Sequence, residues 1–560
     1  MKISRIYIAG FLLLSSCQSL DLNPLSQGSS ETWNSNEEEL DMSLNDLYRE
    51  VFWKKDADEW SDDWMFRDGL TPITDATINS QTEFIATWWK DVYKAISRAN
   101  ITIDGVSRAA DKLSESVRNR YVAEARFVRA CMYSTLLSHY RNVVYTEKTL
   151  DIEEALKLGQ TEPSVVLQKI YEDFDFASEH LKEAYSSSEL KRATKGAALA
   201  MKARIALYME DYETAKDAAK SCIDLGLYKL HPDFSTLFLS KTKNSEEAVF
   251  ALPRSIELGV ALGGRQVYIP RNNGGWAQAN PSWDLLFAFT CSDGKPIDES
   301  DLFDPAKPFE NRDPRCKATI AAFEEPHLDY IFNPHPHALK TLKISTGQQV
   351  VNNDNRANAP YASFNGLVWK KGVDQDWLLN SWRIEADNVI IRYADVLLLY
   401  AEAKIELNEI DASVLDAINQ VRARAYKTDV SSLDYPKVVD QDQQELRKIL
   451  RIERRMEFAL EGLRYMDIIR WKLAEKVLNK ANFGLLDPAD LVSKVVTPGK
   501  WFLPEVPPID TDGIADFSAF YNQGLIKQIA VRKFDARKQY LWPIPTTEVQ
   551  ISGLKQNPNY

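Results

Sequence analysis

The sequence predicts a mainly α fold, in which tetratricopeptide-like helix pairs carry a loop-rich half with short β-strands. Three observations predict it. Apolar residues recur at three- and four-residue steps through the first and last parts of the chain. The segment 194–225 reads as one helical hairpin with alternating small and large side chains. Residues 231–385 hold 12 of the 24 prolines, which makes long helices improbable there and leaves short strands and long loops.

In chain order, Lys2 and Arg5 precede an apolar run from Ile6 to Leu14, which reads as a secretory signal over 1–16, too short to span a bilayer. Leu14-Ser15-Ser16-Cys17 looks like a bacterial lipobox. Cys17 is therefore expected to be the lipidated N-terminus of the mature chain, anchored through several acyl chains. Residues 17–30 are polar and read as a tether, with a reach of about 45 Å if extended. The N-terminal helical region, 31–230, begins with a helix over 36–53, where Leu40, Leu44, Leu47 and Val51 share a face. A loop over 54–80 carries Trp60, Asp62, Asp63, Trp64, Phe66 and Arg67, an unusual load for a solvated segment. Helices follow over 82–104, 114–140 and 163–185. The hairpin of Thr194 to Tyr208 and Tyr212 to Leu225, turning at Glu210-Asp211, comes next.

The region 231–385 contains two stretches dense in tryptophan and amide side chains, around Trp276 and Trp283 and around Trp369, Trp377 and Trp382. The third region, 386–560, opens with an apolar helix over 388–408 and its partner over 412–425. From Arg447 to Trp471, Glu453, Glu457 and Glu461 step by four against an apolar stripe, with Arg451, Arg454, Arg455 and Arg464 as available partners. Gly462 interrupts the helix. Carboxylates in such a place are costly unless paired, so this stretch reads as a buried ion-pair network.

Several elements together resemble the SusD/RagB family of surface glycan-binding lipoproteins. They are Leu20 to Pro24 after Cys17, Trp89 with Tyr93 and Asn100, Asn311 to Arg315, Ile391 to Leu397 with Ala401 to Ala403, Glu453 to Trp471, Leu541 to Pro545, and Gln556 to Tyr560, where Asn559 replaces the usual Gly. The resemblance implies a SusD-like fold of four tetratricopeptide-like helix pairs against a loop-rich ligand half. It implies an outer-membrane lipoprotein, exposed at the cell surface, that delivers oligosaccharide to a SusC-like TonB-dependent transporter. It supplies no catalytic residues and, because ligand contacts vary within the family, no site. Arg392, Asp395, Glu453 and Arg454 are expected to be structural ion-pair partners.

The site is therefore argued from chemistry. A sugar needs flat aromatic faces for its C–H surface and planar polar groups for its hydroxyls. The 54–80 loop and the 272–283 loop hold both. They are expected to converge on a shallow glycan platform, with Trp64 and Trp276 stacking and Asp62, Asp63, Arg67 and Asn273 taking hydroxyls. Gln278 and Trp283 lie in the same loop, and Trp377 is a third stacker. Trp89, Trp471 and Trp542 are expected in the core. The net charge of −13 argues against nucleic acid and leans toward neutral sugars over uronic or sulfated ones. No cofactor or metal is expected: the six His lack ligand spacing, as do Cys131, Cys222, Cys291 and Cys316. Cys131 and Cys222 read as buried apolar residues, and Cys291 with Cys316 as either free or paired. Two other classes compete. A glycan-degrading enzyme needs two carboxylates at a fixed separation, and 81 acidic residues leave a pair open. A protein-binding scaffold would use the helical hairpins.

Overall fold

A computed structural model describes residues 33–186 and 192–560. The signal segment, Cys17 and the tether lie outside the described residues.

The helices begin where the sequence supplies caps. Asn36 accepts from the Glu39 amide and starts Glu37–Leu47, whose first turn carries three glutamates that favour the positive end of the helix dipole. The helix then stops, and Glu50–Phe52 forms one tighter 3-10 turn, so the expected 36–53 helix is shorter than its pattern. Helices Glu83–Arg108 and Glu115–Tyr140 pack together, and Pro163–His180 packs on the second of them. Lys195–Tyr208 and Tyr212–Asp224 form the expected hairpin. Its small residues permit close approach: a Cβ on Gly196 would sit 2.2 Å from the Tyr228 hydroxyl. Tyr393–Glu406 packs on Tyr212–Asp224 and on its own partner, Ala412–Ala425.

One helix is shorter than its sequence pattern suggests for a clear reason. Asn388–Arg392 is a strand, paired antiparallel with Ala248–Leu252, and the helix starts only at Tyr393. The β-branched run Val389-Ile390-Ile391 fits a pleated surface and finds a partner strand there. The proline-rich region contains short strands as expected. Glu325–His327, Tyr330–Phe332, Lys340–Lys343 and Gln348–Val351 form one antiparallel sheet in that order.

Two main apolar cores result. The first joins the helical pairs to Trp542 and Ile544 near the C-terminus. The second lies in the loop-rich half, around Trp283, Trp369 and Phe502. Helix Gln443–Phe458 borders both. Leu446, Leu450 and Phe458 face the first, and Ile452 and Met456 face the second. The expected ion-pair network occupies this border. Glu457 pairs with Arg392 at 2.6 Å, with Arg315 at 3.0 Å and with Arg424. Glu453 meets Arg315 at 2.7 Å and Arg422 at 2.8 Å. Glu461 meets Lys371 at 2.6 Å and Arg392 at 2.7 Å, and Arg454 meets Asp395 at 2.9 Å. Burial alone would raise the Glu457 carboxyl. The guanidiniums of Arg424, Arg392 and Arg315 overcome it and hold the group well below the usual carboxylate range. The chain breaks after this helix at Leu460 and Gly462, both at positive φ, before Arg464–Arg470. Trp89 and Trp542 are core residues, while Trp471 is half-buried, its indole N–H donating to Glu402 at 2.7 Å. Cys131, Cys222, Cys291 and Cys316 are free thiols, all buried.

Candidate functional site

The two loops expected to converge do meet. Trp64–Phe66 and Ala279–Pro281 pair antiparallel, with Trp64 opposite Pro281 and Phe66 opposite Ala279. The backbone N–H of Arg67 extends the contact by donating to the Gln278 carbonyl at 2.8 Å.

That junction turns several expected ligand residues inward. Asp62 and Asp63 are buried, and Arg455 reaches them at 2.8 and 2.6 Å; Arg464 meets Asp62 at 2.9 Å. Both carboxylates therefore clamp the loop to the charged helices and present no acceptor to a sugar hydroxyl. Trp64 is only 5% exposed and stacks on Phe66, with centroids 5.7 Å apart. Trp283 is buried, and its indole N–H donates to the Asn365 carbonyl at 2.9 Å. Trp377 is also buried, in the second core. Trp64 and Trp283 thus pack the scaffold, and buried Trp377 borders the cleft described below.

The residues left facing outward form a smaller platform. Trp276 keeps 47% of its surface and Tyr361 keeps 61%. Arg67 links them: its guanidinium donates to the Trp276 carbonyl at 3.1 Å and to the Tyr361 carbonyl at 3.4 Å, and lies 5.2 Å from the Tyr361 ring centroid. Arg271 adds a 3.4 Å hydrogen bond to the same Trp276 carbonyl. Gln278 is partly exposed beside them, whereas the amide Oδ1 and Nδ2 of Asn273 are buried and without a hydrogen-bond partner among the described residues, so the expected hydroxyl contact of Asn273 is turned inward. The loop is held from below by Asp354, which accepts from the Arg271 N–H at 2.6 Å and from Asn272 Nδ2 at 2.7 Å. Burial raises the Asp354 carboxyl to about 6 against those bonds. Sequence reasoning missed Tyr361 and Arg271. The signal for Tyr361 was an aromatic residue in the amide-rich stretch 352–366.

The loop carrying Trp276 folds back on itself. Gln266 O accepts from the Trp276 N–H, Val267 O from Gln278 N–H and Ile269 O from Ala277 N–H. Arg265 and Tyr268, in the first leg, line a cleft of about 740 Å³ between the helical pairs and the loop-rich half. Trp53, Trp60, Trp88 and Trp377 supply its apolar walls, and Lys55, Asp58 and Glu59 its polar rim. Among the described residues no group of three His, Cys, Asp or Glu side chains is placed to hold a metal ion. No helix among them is long and apolar enough to cross a membrane.

A platform of solvent-facing aromatic rings with fixed guanidiniums can stack sugar rings and donate to their oxygens. Comparison with known proteins agrees with this chemistry. The SusD family profile matches residues 254–560, more than half of the chain, and a second, described as starch-binding and associating with the outer membrane, matches 22–207. A SusD-like protein of Formosa agariphila is 26% identical over 513 residues, covering 85% of this chain and 92% of that one. A SusD-like carbohydrate binding protein from Bacteroides fragilis superposes with a TM-score of 0.75 at 26% identity, covering 93% of this chain and 99% of that one. A laminarin binding SusD-like protein shares the fold, with a TM-score of 0.61 at 21% identity over 94% of this chain and all of that one. The chain belongs to the SusD family, whose members are non-catalytic glycan-binding proteins associated with the outer membrane.

Proposed function

We propose that this protein is a lipid-anchored receptor at the cell surface. It holds oligosaccharide on the platform of Trp276 and Tyr361 and passes it to a SusC-like TonB-dependent transporter. The observation that carries this reading is the exposure of Trp276 beside Tyr361, with Arg67 bonded to both backbones. An indole left half in solvent forgoes part of its burial energy, about 1 kcal/mol, and a sugar face recovers some of it. Arg67 is already fixed by the Tyr361 ring, so little side-chain entropy is lost on binding. Gln278, partly exposed in the same loop, is placed to take hydroxyls at the platform edge. Laminarin enters as one probe because a protein of this fold is named for binding it.

The test is affinity electrophoresis against soluble glycans, laminarin included. At least one glycan is expected to retard the protein, and Trp276→Ala is expected to weaken that binding about tenfold, the value of one aromatic stacking contact. Retardation that Trp276→Ala leaves untouched overturns the platform. The anchor and the partner are read separately. The mature chain should begin at an acylated Cys17, and the native protein should co-purify with a large outer-membrane barrel.

A further inference from the structure

We propose that the platform takes an anionic glycan, whose sulfate or carboxylate group bridges the guanidiniums of Arg67 and Arg271 beside Trp276. This rests on the glycan-binding reading above and names the class of sugar. The two side chains converge on one atom. The Trp276 carbonyl oxygen accepts from Arg67 Nη2 at 3.1 Å and from Arg271 Nη1 at 3.4 Å. Two positive charges are thereby held within a few ångströms of each other, where they repel. Their side-chain hydrogen bonds go to backbone carbonyls only, those of Trp276 and Tyr361. A carbonyl satisfies a donor without cancelling a charge. Partial burial and the neighbouring Arg271 accordingly both lower the Arg67 pKa. An anion set between the two guanidiniums relieves that repulsion.

The carboxylates nearby are engaged elsewhere. Asp354 accepts from the Arg271 and Asn272 backbone N–H groups and from Asn272 Nδ2, so it holds the loop's amides and not the guanidiniums. Asp487 is shared by Arg356 at 2.9 Å and Lys527 at 3.0 Å. Arg356 packs on the Phe364 ring, as Arg67 does, and shows what a completed pair looks like in this corner. Asp68 is exposed, and its charge favours the Arg67 cation without forming an ion pair to it among the described residues. Arg67 Nη1 and Arg271 Nη2 keep their N–H groups free of any acceptor in the described chain. A sulfate or a carboxylate presents oxygens enough to accept from both forks at once. Arg67 is already fixed against Tyr361, so the pair is ordered before ligand arrives. The net charge of −13 slows the approach of a polyanion, while this local pair decides the contact.

The experiment is calorimetry with three probes: laminarin as the neutral glycan, carrageenan as the sulfated one and alginate as the uronate. Each is titrated into wild type, Arg271→Met, Arg271→Lys and Trp276→Ala. The sulfated and uronate arms tell the two anions apart. At least one anionic probe is expected to bind wild type more tightly than laminarin does, and to weaken as salt rises from about 0.1 M to about 1 M. It should lose about tenfold in Arg271→Met and less in Arg271→Lys, which keeps the charge but not the fork. The proposal is overturned if neither anionic probe binds, or if one binds Arg271→Met as tightly as wild type. Laminarin binding that only Trp276→Ala removes, with no anionic binding, leaves the platform standing and sinks the anion. Anionic binding lost in Arg271→Met but kept in Trp276→Ala does the reverse. The Asp354 bond is to the Arg271 backbone and survives the substitution, so Arg271→Met should unfold thermally as wild type does.

Discussion

The border helix Gln443–Phe458 and the cleft beside it hold carboxylates with opposite results. On the helix, Glu457 has three guanidinium partners and Glu453 two, and Glu457 and Glu461 are held below their ordinary pKa. In the cleft, Asp58 has one backbone N–H as its partner and is shifted toward its neutral form. Burial penalises charge in both places, and pairing alone separates the outcomes. Within this protein, charge satisfied by the chain itself marks scaffold.

The largest expected effect lies on the scaffold side. Glu457→Ala leaves Arg315, Arg392 and Arg424 short of a shared partner in the interior. It should cost about 3–5 kcal/mol in urea unfolding. The same carboxylates set the acid limit. Their folded pKa values lie below the ordinary one, so their stabilisation is complete above pH 4.5 and is lost as pH falls through the folded values. Glu457→Ala should therefore flatten the acid limb of the stability curve. A cost under about 1 kcal/mol would remove the contrast between the two regions.

The next effect lies on the seam. Gly462 has φ +76°, and a Cβ there would sit 2.4 Å from the Asp56 carbonyl oxygen. Gly462→Ala should cost about 2 kcal/mol or more, since the neighbour it meets is backbone. Because the Gly462 N–H also holds ionised Asp58, displacing it should raise the Asp58 titration further. An unshifted Asp58 carboxyl resonance on pH titration by NMR would show that the seam does not shape the cleft.

The helical scaffold was legible because its signals are local. Glu453, Glu457 and Glu461 lie at fixed steps on one helix, so their need for partners could be read without knowing which arginines would come. Asp62 and Asp63 were misread for the converse reason. They sit in a loop whose composition suggests solvent, and their partners Arg455 and Arg464 lie almost 400 residues further along the chain. The same distance in sequence hid the burial of Trp64, Trp283 and Trp377, each covered by segments that only the fold brings near. Trp276 stayed outward because the Gly274-Gly275 turn carries the loop past the surface. Gly275 leaves no room for a Cβ, which would lie 2.1 Å from the Ile269 carbonyl oxygen. The strand at Asn388–Arg392 was hidden because its partner, Ala248–Leu252, is remote.

The smallest expected effect tests the cleft without any ligand. Asp58 has a folded pKa of about 7 against an ordinary value of 3.8, raised by burial and by Asp63, and lowered by the Gly462 N–H, Lys371 and Lys55. Between those values the folded chain binds more protons than the unfolded one, so stability falls as pH rises through the window. Asp58→Asn removes the titration. The variant should gain on wild type between pH 5 and pH 8, by on the order of 1 kcal/mol, less than the full shift implies because water in the cleft screens the charge. Denaturant midpoints at the two pH values measure it. A relative loss at pH 8 would mean that ionised Asp58 is stabilised by Lys55 in the free protein. Asp58 would then be satisfied by the chain as Glu457 is, and the contrast between the cleft and the border helix would fail.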